Sequence, residues 1–323
     1  MTDGRPDLYR SQRYGLTAGI YLLDARSFRD QDLPGVGNIT DPTLIGGFIA
    51  KTFDAGKSSI RTMLGRRQLA RLKADLMAAQ KDNVTWKFVV LPEPIQNLGV
   101  LGASDRYEGY ASERSELLGF IDDQAIKNVV FIAADIHGTL INDLTYQRRE
   151  DVLTALATSG NPLVAPQRTT SAFEITTGSV AFDPAFGDAV TRLLAFVPGG
   201  QVILDQLLSS VKVTSLDEFK QLPTSVKNAA MQGLIDQQLE RLGYSPIGLQ
   251  DNSLIKATLK QGSNAALFSF GWTRFYIEPD NHILKITTYG IEPYTAQNLA
   301  NNSAEVNSRQ PEIVSQLLVS PQN

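Results

Sequence analysis

The chain has 323 residues, of which 42% are hydrophobic and 20% charged, and its formal net charge is −4. This composition can bury a sizeable core, and the lack of a basic excess argues against a nucleic-acid-binding protein, which has to neutralise phosphates. The absence of cysteine excludes disulfides, thiolate catalysis and cysteine-ligated zinc. No apolar stretch is long enough for a transmembrane segment, and the N-terminus lacks the apolar part of a signal peptide, so localisation is left open.

Predicted strands and helices alternate over the first half of the chain. The expected strands are 16–23, 86–91 and 129–134, and the expected helices are 64–81 and 112–126. The intervening stretch 30–62 is rich in Gly, Pro and Asp, which indicates a long loop with one short helix. Such alternation predicts an α/β fold with helices packed on a sheet.

The second half has a different pattern. A strand is expected at 171–178, and several helices within 185–261. Apolar and polar residues then alternate over 264–291, which predicts a β-hairpin with its turn at 279–281. After about residue 297 the sequence is polar, and we expect a loosely ordered tail.

The third predicted strand of the first half ends at Asp135 and His137, followed by Gly138. In an extended chain, residues two apart point to the same side, so both side chains could reach one ion or one substrate. Glycine would allow a close approach of backbone or ligand. The alternative is an aspartate that caps a turn, with a histidine at the rim.

Only one other histidine occurs, His282, which we expect to lie exposed beside the hairpin turn. A metal site made from this chain would therefore contain mainly oxygen ligands, which suit calcium, magnesium or manganese better than structural zinc. The segment 54–60 imitates a phosphate-binding loop, but Lys51 stands where its first glycine belongs.

Two polar clusters allow a structural or a functional interpretation. Asp24 and Arg26 follow the first predicted strand and are interpreted as a buried ion-pair network. A second group precedes the helix at 112–126, in a loop, where functional side chains are common. Its members are Asp105, Glu108, Tyr110 and Arg114.

Taken in order, these segments resemble the PhoD-like metallophosphatases, also called the alkaline phosphatase D family. The resemblance covers about residues 8–183 and, more loosely, 264–290. The segments that carry it are LYRSQRYGLTAGIYLLDARSFRD, MLGRRQLARLKADLMAAQKDNVTWKFVVL, SDRYEGYASERSELLGFI, NVVFIAADIHGTLINDL and FEITTGSV. Tyr107 stands where the family has Trp, Glu108 where it has Asp, and Ala134 where it has Gly.

The resemblance implies a metallophosphoesterase sandwich of β-sheets flanked by helices, and the hydrolysis of phosphate mono- and diesters at a multi-metal centre. Calcium, and iron or manganese, would be its ions. By the match to the family's Gly-Asp-x-His motif, Asp135 and His137 would lie at that centre. His137 would bind either a metal or the substrate phosphate.

The resemblance also implies ligands that this sequence lacks. The family's Gly-Asp-x-x-Tyr and Asp-Asp-His motifs belong to an N-terminal half, and neither motif occurs here. Completion of the centre could come from Asp105, Glu108, Asn142 and Asp143, or from a separate chain that supplies the missing half. With half of the sandwich absent, we expect exposed apolar surface and self-association.

Two rival interpretations remain beside the phosphatase. One is a truncated or degenerate PhoD-like protein that acts as a binding domain without catalysis, and the other is an α/β binding domain with its ligand near Asp135. In either the phosphatase or the degenerate case, we divide the chain into four parts. These are a PhoD-like core (1–183), a helical insertion or subdomain (184–263), a β-hairpin returning to the core (264–297) and a polar tail (298–323).

Overall fold

Two β-sheets and a set of flanking helices make up the computed structural model, which describes residues 4–181 and 184–322. The strands are β1 (Arg10–Tyr14), β2 (Ala18–Leu22), β3 (Trp86–Leu91), β4 (Val129–Ala133), β5 (Thr139–Tyr146), β6 (Arg168–Thr176), β7 (Ala257–Gly262), β8 (Ala265–Ala266), β9 (Phe270–Ile277), β10 (Leu284–Ile291) and β11 (Glu312–Val319). The helices are α1 (Pro42–Thr52), α2 (Arg66–Lys81), α3 (Ala111–Asp123), α4 (Arg149–Ser159), α5 (Phe186–Leu194), α6 (Gly200–Ser210), α7 (Leu216–Lys220), α8 (Thr224–Arg241), α9 (Ala296–Asn301) and α10 (Ser303–Ser308).

The larger sheet has seven strands in the order β1-β2-β3-β4-β6-β5-β8. Its central strands β2, β3, β4 and β6 are parallel, whereas β1, β5 and β8 are antiparallel to their neighbours. The three strands predicted from the first half of the chain are thus neighbours in one sheet, as expected. Their carboxyl ends meet at one edge, where ligands bind in sheets of this kind.

Residues on β3 and β4 alternate between two cores, as the two-residue period of a strand requires. Val89 and Phe131 face α2 and α3, where they pack among buried leucines such as Leu72 and Leu118. Phe88, one residue away from Val89, faces the second sheet. The central strands are buried on both faces, which explains why their sequences are almost continuously apolar.

The second sheet is antiparallel, in the order β7-β11-β10-β9, and packs against the first. The rings of Phe88 and Phe275 meet edge to face across the two sheets, with centroids 6.0 Å apart. Trp86 Nε1 also donates a hydrogen bond of 2.8 Å to the carbonyl of His282. The architecture is therefore a two-sheet α/β sandwich with flanking helices. The predicted hairpin is β9 and β10, and it belongs to this second sheet.

Helices α5 to α8 pack around a core of their own, next to β8 and the loops at the carboxyl edge of the large sheet. Leu204, Leu207, Met231 and Leu239 are buried in it. One helical face of α8 thus packs inward, and the predicted helical segment is confirmed over 186–241.

The C-terminal segment differs from the loosely ordered tail that the sequence predicts. β11 lies inside the second sheet, hydrogen-bonded to β7 on one side and β10 on the other. Leu317 and Val319 are each 2% exposed. The polar residues that precede β11 form α9 and α10. Because the segment as a whole is polar, its composition gave no indication of a strand whose alternate residues are buried. Strand β7, within the segment predicted as helical, was likewise not predicted.

Within the described part of the chain, no helix combines the length and the hydrophobicity that crossing a membrane requires.

Candidate functional site at the carboxyl edge of the large sheet

Asp135 and His137 lie just beyond β4 and line the wall of a cavity of about 650 Å³. Their backbones have φ angles of +67° and +59°, so the segment is not extended. The assumption that strand geometry aligns the two side chains is therefore wrong, because β4 ends at Ala133. A shared cavity, and not a shared strand face, brings the two residues together.

Arg26 connects the loops that follow β2, β3 and β4. Its Nε contacts a carboxylate oxygen of Glu93, its Nη1 lies 3.2 Å from Asp105, and its Nη2 lies 3.5 Å from Asp135. One guanidinium group thus faces three carboxylates. The sequence predicted a buried ion-pair network of Asp24 and Arg26. Arg26 does form such a network, but its partners are Glu93, Asp105 and Asp135, and its side chain is 47% exposed.

The turn after β2 places Arg26 at this position. Asp24 Oδ1 accepts hydrogen bonds from the backbone N–H groups of Arg26 (3.0 Å) and Ser27 (2.9 Å), which closes an Asx turn. The backbone N–H of Asp24 donates to Gln68 of α2 at 2.8 Å. Burial alone would raise the pKa of Asp24, but the hydrogen bonds from Ser27 and Arg26 outweigh burial and lower it.

Glu93 is the buried acid of this group, with 0% exposure. It lies in the loop after β3, between Pro92 and Pro94. Burial raises the pKa of Glu93 to about 7, and the nearby charge of Asp135 acts in the same direction, whereas Arg26 opposes it. Burial and Asp135 therefore favour the neutral form of this carboxyl group, whereas Arg26 favours the charged form.

Asp105 is the most firmly paired of the carboxylates. Arg29 Nη1 lies 2.6 Å from its Oδ1, in addition to the contact from Arg26. Burial favours a higher pKa for Asp105, but the hydrogen bonds and positive charges of Arg29 and Arg26 outweigh it, so the pKa lies below its usual value. Of the six predicted lining residues, Asp105 is the one that the structure places in contact with the Arg26 group.

Glu108 and Arg114 hold the loop that carries Glu93. Glu108 accepts hydrogen bonds from the backbone of Leu98 and from Arg106, both at 2.7 Å. Arg114 is buried and donates to the carbonyl of Ile95 at 2.6 Å. Neither side chain lines the cavity of Asp135 and His137, so both act on the site through the loop.

Tyr110, Asn142 and Asp143 lie in buried, structural positions. Tyr110 Oη donates to the carbonyl of Asp30 at 2.6 Å. On β5, Asn142 accepts from the backbone of Gly248, and Asp143 accepts from Asn252 at 2.9 Å. Burial raises the pKa of Asp143 to about 6. The structure does not bring these three residues to the cavity.

His282 lies beside the hairpin turn, as expected, but it is half-buried. Its Nδ1 lies 3.1 Å from the hydroxyl of Thr85. Together with the bond from Trp86 to its carbonyl, this contact joins the two sheets at the end remote from Asp135.

The carboxylates around Arg26 have the oxygen donors that hard cations prefer, but their arrangement does not fit a metal centre. Arg26 and Arg29 already contact Glu93, Asp105 and Asp135. Across residues 4–181 and 184–322, no group of three or more His, Cys, Asp or Glu side chains is placed to hold an ion. Calcium requires six to eight oxygens, so these residues in this arrangement are not sufficient.

Glu93, Arg29 and the apolar cavity wall were not predicted as parts of the site. Glu93 had a signal in the sequence, since an acidic residue between two prolines directly after a buried strand is held at a strand end. The apolar wall had no such signal, because leucines on a helix that line a cavity have the same sequence pattern as leucines that pack in a hydrophobic core.

Comparison with known protein families covers the same residues. A family model described as PhoD-like phosphatase matches residues 1–233. This chain belongs to the PhoD-like phosphatase family. The resemblance found in the sequence is thereby confirmed, and the match includes Arg26, Glu93, Asp135 and His137.

Individual relatives of the PhoD-like family match over shorter spans. Alkaline phosphatase D of Bacillus subtilis (strain 168) is 27% identical over 146 residues, which are 42% of this chain and 22% of that protein. A solved structure titled "Structure of PhoD" aligns with 20% identity and a TM-score of 0.38, over 58% of this chain and 32% of that one. The chain thus spans about a fifth to a third of the PhoD-like proteins that it matches.

Proposed function

We propose that this protein takes part in the metal-dependent hydrolysis of phosphate mono- or diesters, and that the ester binds at Asp135 and His137. The observation that carries the proposal is the position of these two residues. They stand at the carboxyl edge of the parallel strands, within the span matched by the PhoD-like family, and line one cavity.

The cavity contains charges of both signs, since Asp135 lines it together with Arg106 and Arg241. Behind Asp135, the guanidinium groups of Arg26 and Arg29 are already paired with carboxylates. A phosphate ester is itself an anion, so Asp135 would repel it unless added positive charge lies between the two. Calcium, iron or manganese would supply that charge. The remaining ligands would have to come from a second copy of this chain, because the turnover test uses this chain alone.

The proposed work of this chain's own residues is to bind and orient the ester. The Nη2 of Arg26 holds Asp135 at the cavity wall. His137, a second cavity-lining side chain, carries ring nitrogens that suit contact with a phosphoryl or leaving-group oxygen. The apolar wall keeps water away from one side of the bound ester.

The test compares three variants in the turnover of bis-p-nitrophenyl phosphate with calcium, manganese or iron supplied. We expect Asp135→Asn and His137→Gln to lower kcat/KM by about a hundredfold or more, the usual cost of losing a group that contacts the reacting atoms. Asp123→Asn is the matched control, because Asp123 is an arginine-paired surface aspartate on α3.

Unchanged turnover in Asp135→Asn would remove this residue from the mechanism. Absence of turnover in the wild type with every metal would favour the non-catalytic PhoD-like binding protein instead.

A further inference from the structure

The cavity that Asp135 and His137 line is largely apolar and extends far beyond these two residues. Its volume of about 650 Å³ lies in the range of small-molecule sites. Most of its wall is contributed by the loop after β3 and by α5, α6 and α8, through side chains such as Leu98, Leu194, Met231 and Ile235. A simple phosphate ester such as p-nitrophenyl phosphate would leave most of this surface uncovered.

The apolar wall and the polar end are parts of one cavity. Ile136 lies between Asp135 and His137 and lines it too. The backbone N–H of Phe186, the first residue of α5, donates to the carbonyl of His137 at 2.9 Å. The start of the helical block is thus attached to the polar residues, so a ligand at His137 would also contact the wall that α5 provides.

Helix α8 changes from apolar to polar along the face that it turns to the cavity. Its apolar residues there are Met231, Leu234 and Ile235. Gln238 and Arg241 follow three and six residues after Ile235, and all five residues line the cavity. Among the described residues, Gln238 Nε2 is buried without a hydrogen-bond partner, and Arg241 is exposed. A buried donor without a partner is costly, so this end of the cavity suits a polar group, whereas the face of Met231, Leu234 and Ile235 suits an apolar one.

We propose that the cavity binds a long apolar group, an alkyl or acyl chain, of the phosphoester that the PhoD-like site hydrolyses. This assignment of substrate class rests on the proposed function. The phosphate lies at Asp135 and His137, and the chain lies among Leu98, Leu194, Met231 and Ile235. Each methylene group buried against such a wall should increase the binding affinity about fourfold.

The experiment measures kcat/KM for p-nitrophenyl alkyl phosphates from methyl to octyl, each below its micellar concentration, with metal supplied. We expect KM to fall roughly two- to fourfold per methylene and then to level off when the cavity is full. In parallel, calorimetry measures the binding of 1-octanol and of methanol to the same protein, which needs no turnover.

Two variants locate the chain. Ile235→Trp fills the cavity and should abolish the gain with chain length, and Met231→Ala enlarges it and should move the plateau to longer chains. Val202→Trp is the control, because Val202 lies on α6, is 53% exposed and does not line the cavity.

The outcomes separate the two proposals. Equal KM for methyl and octyl esters, with no binding of octanol, would overturn the substrate assignment and leave hydrolysis intact. Binding of octanol that Ile235→Trp removes, with no turnover of any ester, would support the apolar site and overturn the hydrolytic role.

Discussion

Arg26 and Glu93 form the ion pair at the centre of the site, and the partners differ in environment. The carboxylate is fully buried, whereas the Arg26 side chain is 47% exposed. A buried acid whose partner reaches in from the surface depends on that partner for its charge.

The first prediction concerns this pair. Arg26→Ala should lower the free energy of unfolding by about 2 kcal/mol at pH 8, because Glu93 and Asp135 lose their shared counter-charge. The loss should be smaller at pH 6, where Glu93 can take up a proton. Denaturant unfolding at both pH values measures it.

A double-mutant cycle with Glu93→Gln provides the control, since Arg26→Ala should cost less in that background. Arg13→Ala breaks an exposed pair with Asp82, at 2.7 Å, and should cost at most about 0.5 kcal/mol. Equal costs for Arg26→Ala and Arg13→Ala would contradict the central place given to Arg26.

The second prediction concerns Glu174 on β6, which accepts hydrogen bonds from the backbone of Ile95 and Gln96 at 2.8 and 2.9 Å. Burial raises the pKa of Glu174 to about 7, above its value in the unfolded chain. The folded state therefore keeps a proton that the unfolded state releases, and stability falls as pH rises from about 4.5 to about 7.

Glu174→Gln removes this titration and should flatten the fall by up to about 1.4 kcal/mol per pH unit. Glu150→Gln, at a site where the side chain is 69% exposed, should leave the slope unchanged. Glu93 and Asp143, whose pKa values burial also raises, leave part of the slope in place. A slope in Glu174→Gln equal to that of the wild type would show that Glu174 ionises normally in the folded protein.

The third prediction concerns Gly138, where α5 approaches the site. A Cβ at this position would lie 2.8 Å from Phe186 Cβ, so Gly138→Ala should destabilise the protein by about 1–3 kcal/mol through overpacking. Gly47→Ala, in α1 with no atom within 4 Å of its Cβ position, should instead stabilise it by up to about 1 kcal/mol. Thermal unfolding distinguishes the two, and equal shifts would refute the close contact.

The fourth prediction concerns β11. Leu317 is 2% exposed, whereas its neighbour Leu318 is only partly buried on the opposite face. Leu317→Ala should cost about 2–4 kcal/mol, and Leu318→Ala clearly less. If the C-terminal segment were a loose tail, both substitutions would be neutral in a denaturant titration.

The sequence predicted what depends on local pattern. The strands around Val89 and Phe131 were found because both of their faces are buried, and Asp135 was found because it follows one of them closely. β11 was not predicted, because its burial depends on pairing with β7 and β10. These partners lie elsewhere in the sequence and meet β11 only in the folded chain. The ion pair between Arg26 and Glu93 joins residues 67 positions apart, and no spacing rule connects them.

The four-part division of the chain stays a prediction, although the structure shows the hairpin and the C-terminal strand in one sheet. The segment that links β6 to α5 includes residues 182 and 183, where the boundary between core and insertion was drawn. These two residues lie outside the described part of the chain.

The most direct test of the proposed function is the turnover of bis-p-nitrophenyl phosphate by the full chain, before and after chelation and after calcium, manganese or iron is restored. The account predicts hydrolysis that chelator abolishes, that metal restores in the wild type, and that metal does not restore in Asp135→Asn. No hydrolysis above the protein-free rate with any metal, or equal restoration in Asp135→Asn, would contradict it.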